Sequence, residues 1–82
     1  MASKILIVED EAVVSLDIAR RLERMGYEIS ARVASSEEAF SAIEVDTPDL
    51  VLMDINLQGN SDGIEAAEKI NRKYQIPVIY LT

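Results

Sequence analysis

The 82-residue sequence contains no cysteine and no histidine. The first absence excludes disulfides and thiolate metal sites. The second removes serine-type triads and the usual zinc site. No apolar run approaches the ~20 residues of a membrane span. Met1-Ala2-Ser3-Lys4 leads straight into an apolar run, without the charged, apolar and cleavage regions of a signal peptide. These features predict a cytoplasmic protein with no membrane partner. Positive charge is scarce, with 8 Lys and Arg against 15 Asp and Glu and a net charge of −7. Binding a phosphate backbone needs a basic face, so nucleic acid is not expected as a direct partner. Apolar residues are plentiful at 49%. They suffice for one small globular domain over residues 1–82 rather than a disordered chain.

Two apolar runs end in acid. Ile5-Leu6-Ile7-Val8 is followed by Glu9-Asp10, and Leu50-Val51-Leu52-Met53 by Asp54. Both have the length of a strand, and neither alternates with polar residues. Each is therefore expected to be covered on both faces, as in a parallel sheet.

Strand and helix patterns alternate along the chain, which implies βαβ units. A first helix is predicted from about Glu11 to Met25, with Val14, Ile18, Leu22 and Met25 on its inner stripe. Gly26 is its C′ stop. The second strand spans about Glu28 to Val33, with Ile29, Ala31 and Val33 on one face in the manner of an edge strand. Ser35-Ser36-Glu37-Glu38 has capping-box spacing and starts a second helix that turns Ala39, Phe40 and Ile43 to the sheet. A third helix begins near Gly63, with Ile64, Ala67, Ile70 and Asn71 inward. Pro77 opens the fourth strand, Val78 to Leu81. Right-handed crossovers and central placement of the most apolar strands give the order 2-1-3-4. The switch point then falls between strands one and three, where Glu9, Asp10 and Asp54 emerge together.

Carboxylates that converge repel, by roughly 4 kcal/mol per pair at ~4 Å and an effective dielectric near 20. A proton or a cation resolves the conflict. No arginine neighbours the motifs in sequence, and the oxygen-only ligand set suits Mg²⁺ or Mn²⁺. A metal held so openly is suited to phosphoryl chemistry, with one carboxylate as nucleophile. Asp54, alone at the end of a central strand, is that candidate. Thr82 ends the adjacent strand, where its hydroxyl could donate to a phosphoryl oxygen. Taken singly, Asp10 also reads as an N-cap and Asp54 as a turn residue.

The chain resembles the receiver domain of two-component response regulators. The resemblance rests on Ile5 to Glu11, Asp49 to Leu57, Asp62-Gly63-Ile64-Glu65 and Pro77 to Thr82, in that order and spacing. It implies a flavodoxin-like α/β fold with helices on both faces. It further implies that Asp54 accepts a phosphoryl group from a phosphohistidine on a histidine kinase or phosphotransfer protein. Asp10, Asp54 and the Asn56 backbone carbonyl would ligate Mg²⁺. Glu9 would bind through metal-held water, and Thr82 would be the switch hydroxyl. Such a module is a switch and not a turnover enzyme. Two departures from the family pattern are Gln58 in place of a proline and a longer loop from Leu57 to Gly63. The family's last strand, its lysine and its final helices have no counterpart in residues 1–82. The expectation is of a fragment, or of two copies completing each other through the open edge of the fourth strand. Part of one face of strands one and three should also lack cover.

Three rival readings compete. Asp54, Asn56, Gln58, Gly59 and Glu65 fit the ligand spacing of a calcium hand, although Pro48 leaves only a strand's length before them. A nucleotide binder lacks its glycine-rich loop after the first strand. A phosphohydrolase would need an acid where Asn56 stands.

Overall fold

A computed structural model describes residues 3–54 and 63–81. The elements run β1 (Lys4–Val8), α1 (Ala12–Arg24), β2 (Glu28–Val33), α2 (Ser36–Val45), β3 (Leu50–Asp54), α3 (Gly63–Tyr74) and β4 (Val78–Leu81). The four strands form one parallel sheet in the order β2-β1-β3-β4. The chain reverses its direction of travel across the sheet after β2. Right-handed crossovers therefore place α1 on one face and α2 and α3 on the other. Two cores result. Ile5, Ile7 and Leu52 pack with Ala19, Ile18 and Leu22 of α1. Leu6, Val8, Val51 and Met53 pack with Ala39 and Ile43 of α2 and Ala66 and Ile70 of α3.

The edge strand departs from simple alternation. Ile5 pairs with Ile29 but Leu6 pairs with Ala31, so Ser30 is an extra residue in β2. A bulge of this kind moves every later side chain to the opposite face. Ile29 accordingly joins the α1 core, while Ala31 and Val33 join the other. The expectation that all three share a face fails because of this one inserted residue.

The helices follow their cap signals more closely than their predicted stripes. Gly26 adopts φ +98°. The Tyr27 N–H donates to Leu22 O and the Gly26 N–H to Glu23 O, both at 3.0 Å. This pair of bonds is a Schellman cap. The buried face of α1 centres on Ser15 and Ala19, whereas Val14 and Met25 are exposed. In α2 the Ser35 hydroxyl accepts from the Glu38 N–H at 3.2 Å, and Glu38 Oε1 accepts from the Ala34 N–H at 2.7 Å. The capping box thus forms, with its glutamate reaching one residue before the N-cap. In α3, Gly63, Ala66, Ala67 and Ile70 are buried, while Ile64 and Asn71 are exposed. The Asn71 side chain instead donates to Ile76 O at 3.2 Å, beside Gln75 in the left-handed region at φ 58°.

Among the described residues β4 pairs with β3 alone. The expected gap in cover over β1 and β3 is not there: Ile5, Leu6, Ile7, Val8, Val51, Leu52 and Met53 are all buried. The exposure falls on β4, at Ile79 and Tyr80. On the α1 face, Ile18, Ala19 and Leu22 pack over Ile5, Ile7 and Leu52 at the centre of the sheet.

Candidate functional site

The site is a consequence of register. Val8 pairs with Met53, so the next residues along the two central strands, Glu9 and Asp54, stand side by side at the carboxyl edge of the sheet. The Glu9 N–H donates to Val33 O at 2.9 Å, which continues the ladder one residue past β1 and fixes where Glu9 stands. Asp10 follows in the turn into α1. One carboxylate oxygen from each of Glu9, Asp10 and Asp54 lies within 4.8 Å of the others. Glu9 is 7% exposed, whereas Asp10 and Asp54 are half-buried.

Burial, followed by a hydrogen bond with the Asp54 carboxyl and the charges of Asp54, Asp10 and Glu11, pushes Glu9 up to about 7. A hydrogen bond between two carboxyl groups requires a proton on one of them. The crowding anticipated from the sequence is therefore present, and it makes Glu9 easier to protonate than an ordinary carboxylate. The donor set also fits a hard divalent cation, which would displace that proton and take oxygen ligands from the same three side chains. The helix cap does not compete for Asp10, because the N-cap of α1 is Glu11, which makes no side-chain cap hydrogen bond.

Two residues escaped sequence reasoning. A cavity of about 240 Å³ on the β2 side of the cluster is lined by Glu9, Asp10, Ser15 and Arg32, among others. The Ser15 hydroxyl is buried without a hydrogen-bond partner among the described residues. Arg32 arrives through the strand pairing, opposite Ile7. No arginine is adjacent to the motifs in sequence, yet the fold supplies one to the cavity wall. The pairing depends on the extra residue at Ser30, so the sequence carried no signal for it.

Asn56 and Thr82, the remaining predicted site residues, lie outside the described residues, as does most of the loop with calcium-hand spacing. The segment entering that loop is strand β3, where a calcium hand requires a helix. Glu65, its last position, lies exposed on α3 and pairs with Lys69 at 3.4 Å.

An open parallel sheet with convergent carboxylates at its switch point defines a flavodoxin-like module with an acidic pocket at the carboxyl edge. The chain belongs to the response regulator receiver domain family, which it matches over residues 5–82. It is 40% identical over 79 residues to the transcriptional regulatory protein PdtaR of Mycobacterium tuberculosis, covering 96% of this chain and 38% of that protein. The response regulator PhyR of Brucella abortus has a similar structure, with a TM-score of 0.90 at 35% identity over 98% of this chain and 33% of that one. The signal receiver domain of a modulated diguanylate cyclase from Desulfovibrio desulfuricans G20 gives a TM-score of 0.91 at 32% identity, covering 98% of this chain and 64% of that one. The chain spans 31–38% of the length of the curated relatives it matches. Among the described residues, no helix is long and apolar enough to cross a membrane.

Proposed function

We propose that this receiver domain is a phosphorylation switch with Asp54 as its acceptor. The observation that carries the reading is the gathering of Glu9, Asp10 and Asp54 within 4.8 Å at the end of the two central strands. An Asp54 oxygen attacks the phosphorus of a phosphohistidine, the P–N bond breaks, and the imidazole nitrogen leaves with the electron pair and takes a proton. The donor is a histidine kinase or phosphotransfer protein. Glu9 and Asp10, with Asp54, would hold Mg²⁺ or Mn²⁺, whose chemistry is to neutralise the phosphoryl oxygens. Asn56 would lend its backbone carbonyl to that ion and Thr82 its hydroxyl to the phosphoryl group. The protein's own contribution is geometric: β1 and β3 hold the acceptor and its flanking acids in place before any donor arrives. The domain stores a phosphoryl group and changes shape, and does not turn over a substrate.

The test is adduct formation with Mg²⁺ and beryllofluoride, or with a small phosphodonor, read by intact mass or fluorine NMR. Asp54→Asn is expected to abolish the adduct, and an adduct that persists in that variant overturns the assignment.

A further inference from the structure

The helices α2 and α3 flank a cavity of about 630 Å³ on the face of the sheet away from α1, remote from the acidic pocket. Phe40 and Tyr74 give it apolar walls. Its two rims carry opposite charge. On the α2 side stands Glu44, from a helix with three glutamates and no lysine or arginine. On the α3 side stand Lys69, Arg72 and Lys73. Lys69 reaches Glu65 at 3.4 Å, but among the described residues Glu44, Arg72 and Lys73 make no ion pair.

We infer that this groove is a self-complementary interface that takes a second copy of the chain, joined about a two-fold axis that lies in the contact plane and runs along the groove. The argument is one of symmetry. Each helix returns from the end of one parallel strand to the start of the next, so α2 and α3 run side by side in the same direction. A two-fold lying in the contact plane, parallel to the two helices, exchanges their positions. It lays α2 of each copy over α3 of the other, parallel, so that the last turns carrying Glu44 and Arg72–Lys73 lie at the same level. Glu44 of each copy then faces the Arg72–Lys73 rim of the other, twice per dimer, around the Phe40 and Tyr74 surfaces. An isologous contact needs this reciprocity. An anionic ligand would meet Glu44, and a cationic one would meet three positive charges; a second copy satisfies both rims at once. Two chains of net charge −7 repel at long range. Physiological salt screens that repulsion beyond about 8 Å while leaving the close contacts in place.

Sedimentation equilibrium of the 82-residue chain at about 0.15 M salt, close to physiological ionic strength, tests the inference. A concentration-dependent dimer is expected. Glu44→Lys and Lys73→Glu, both at exposed positions, should each weaken it by about tenfold or more, because each variant sets like charges against one another at both contacts. An equimolar mixture of the two variants should recover a heterodimer of near-original affinity, since every contact again joins opposite charges. Circular dichroism confirms that each variant is folded. Ile79→Lys, on the open β4 edge, should leave the dimer unchanged. A chain monomeric at millimolar concentration, a mixture that fails to recover, or a dimer lost on Ile79→Lys and indifferent to Glu44→Lys overturns the inference.

Discussion

The two ends of the β1–β3 pair carry the same acidic chemistry in opposite conditions. At the amino end, Lys4 Nζ meets Asp46 at 2.9 Å, and the Lys4 N–H donates to Asp49 Oδ2 at 2.8 Å. The Asp49 N–H returns a bond to Lys4 O at 2.8 Å. Each acid there has a donor. At the carboxyl end, barely five residues along the same strand, Glu9, Asp10 and Asp54 bring carboxylate oxygens within 4.8 Å of one another, and burial with these neighbours pushes Glu9 up to about 7. A paired acid holds the chain together. A crowded one holds unfavourable interaction that a cation or phosphoryl chemistry can use. The contrast sets the carboxyl edge apart as the candidate site on geometry alone.

The contrast is broken most directly at Asp10. Asp10→Ala removes one of three oxygens from the cluster and should weaken Mg²⁺ binding by about tenfold to a hundredfold, measured by titration calorimetry. An unchanged titration would mean that the three carboxylates do not act as one site.

Protonation sharpens the same contrast. With Glu9 near 7, a proton competes with the cation, so apparent Mg²⁺ affinity should fall by about tenfold between pH 8 and pH 6 and binding should release protons. Stability carries the same signature with its own sign. Glu9 sits above its ordinary value of 4.5 in the folded chain. Between pH 4.5 and about 7 the folded state therefore holds a proton that the unfolded state has lost, and this contribution to stability declines as pH rises through that window. Glu9→Gln imitates the protonated form. The variant should match the native chain near pH 4.5 and exceed it in denaturant midpoint above pH 7. A constant difference across the window would show that Glu9 titrates normally.

The topology was legible because parallel strands and their crossovers obey few rules, and the positions of two apolar runs sufficed to order the sheet. The clustering of Glu9, Asp10 and Asp54 followed from that order alone. The misread faces have local causes. One added residue at Ser30 sends Ile29 to one core and Ala31 to the other. No periodicity in a six-residue strand reveals a bulge. In α1, Val14 was assigned inward because it is apolar, but the small residues Ser15 and Ala19 occupy the closest approach to the sheet, where larger side chains would hold the helix off. Arg32 was missed for a different reason: its proximity to the acids depends on strand pairing, and adjacency in sequence does not report it.

The smallest expected effect is at the paired end. Lys4→Met removes the partner of Asp46 while Asp49 keeps its two hydrogen bonds with the Lys4 backbone. Lys4 is half-buried, and its hydrogen bond to and charge attraction by Asp46 raise it above 10.5. Because the shift is upward for a base, its contribution is complete below 10.5 and is lost only as pH rises through the higher folded value. The variant should therefore lose a little stability by the same amount from pH 5 to pH 9, with Mg²⁺ affinity unchanged within about twofold, since solvent screens the distance between the two ends. Paired denaturant and Mg²⁺ titrations at those two pH values decide the matter. A drop in Mg²⁺ affinity comparable to that of Asp10→Ala would mean that the Lys4 anchor sets the register of β1 against β3. The amino end would then be part of the site and not its counterpoint.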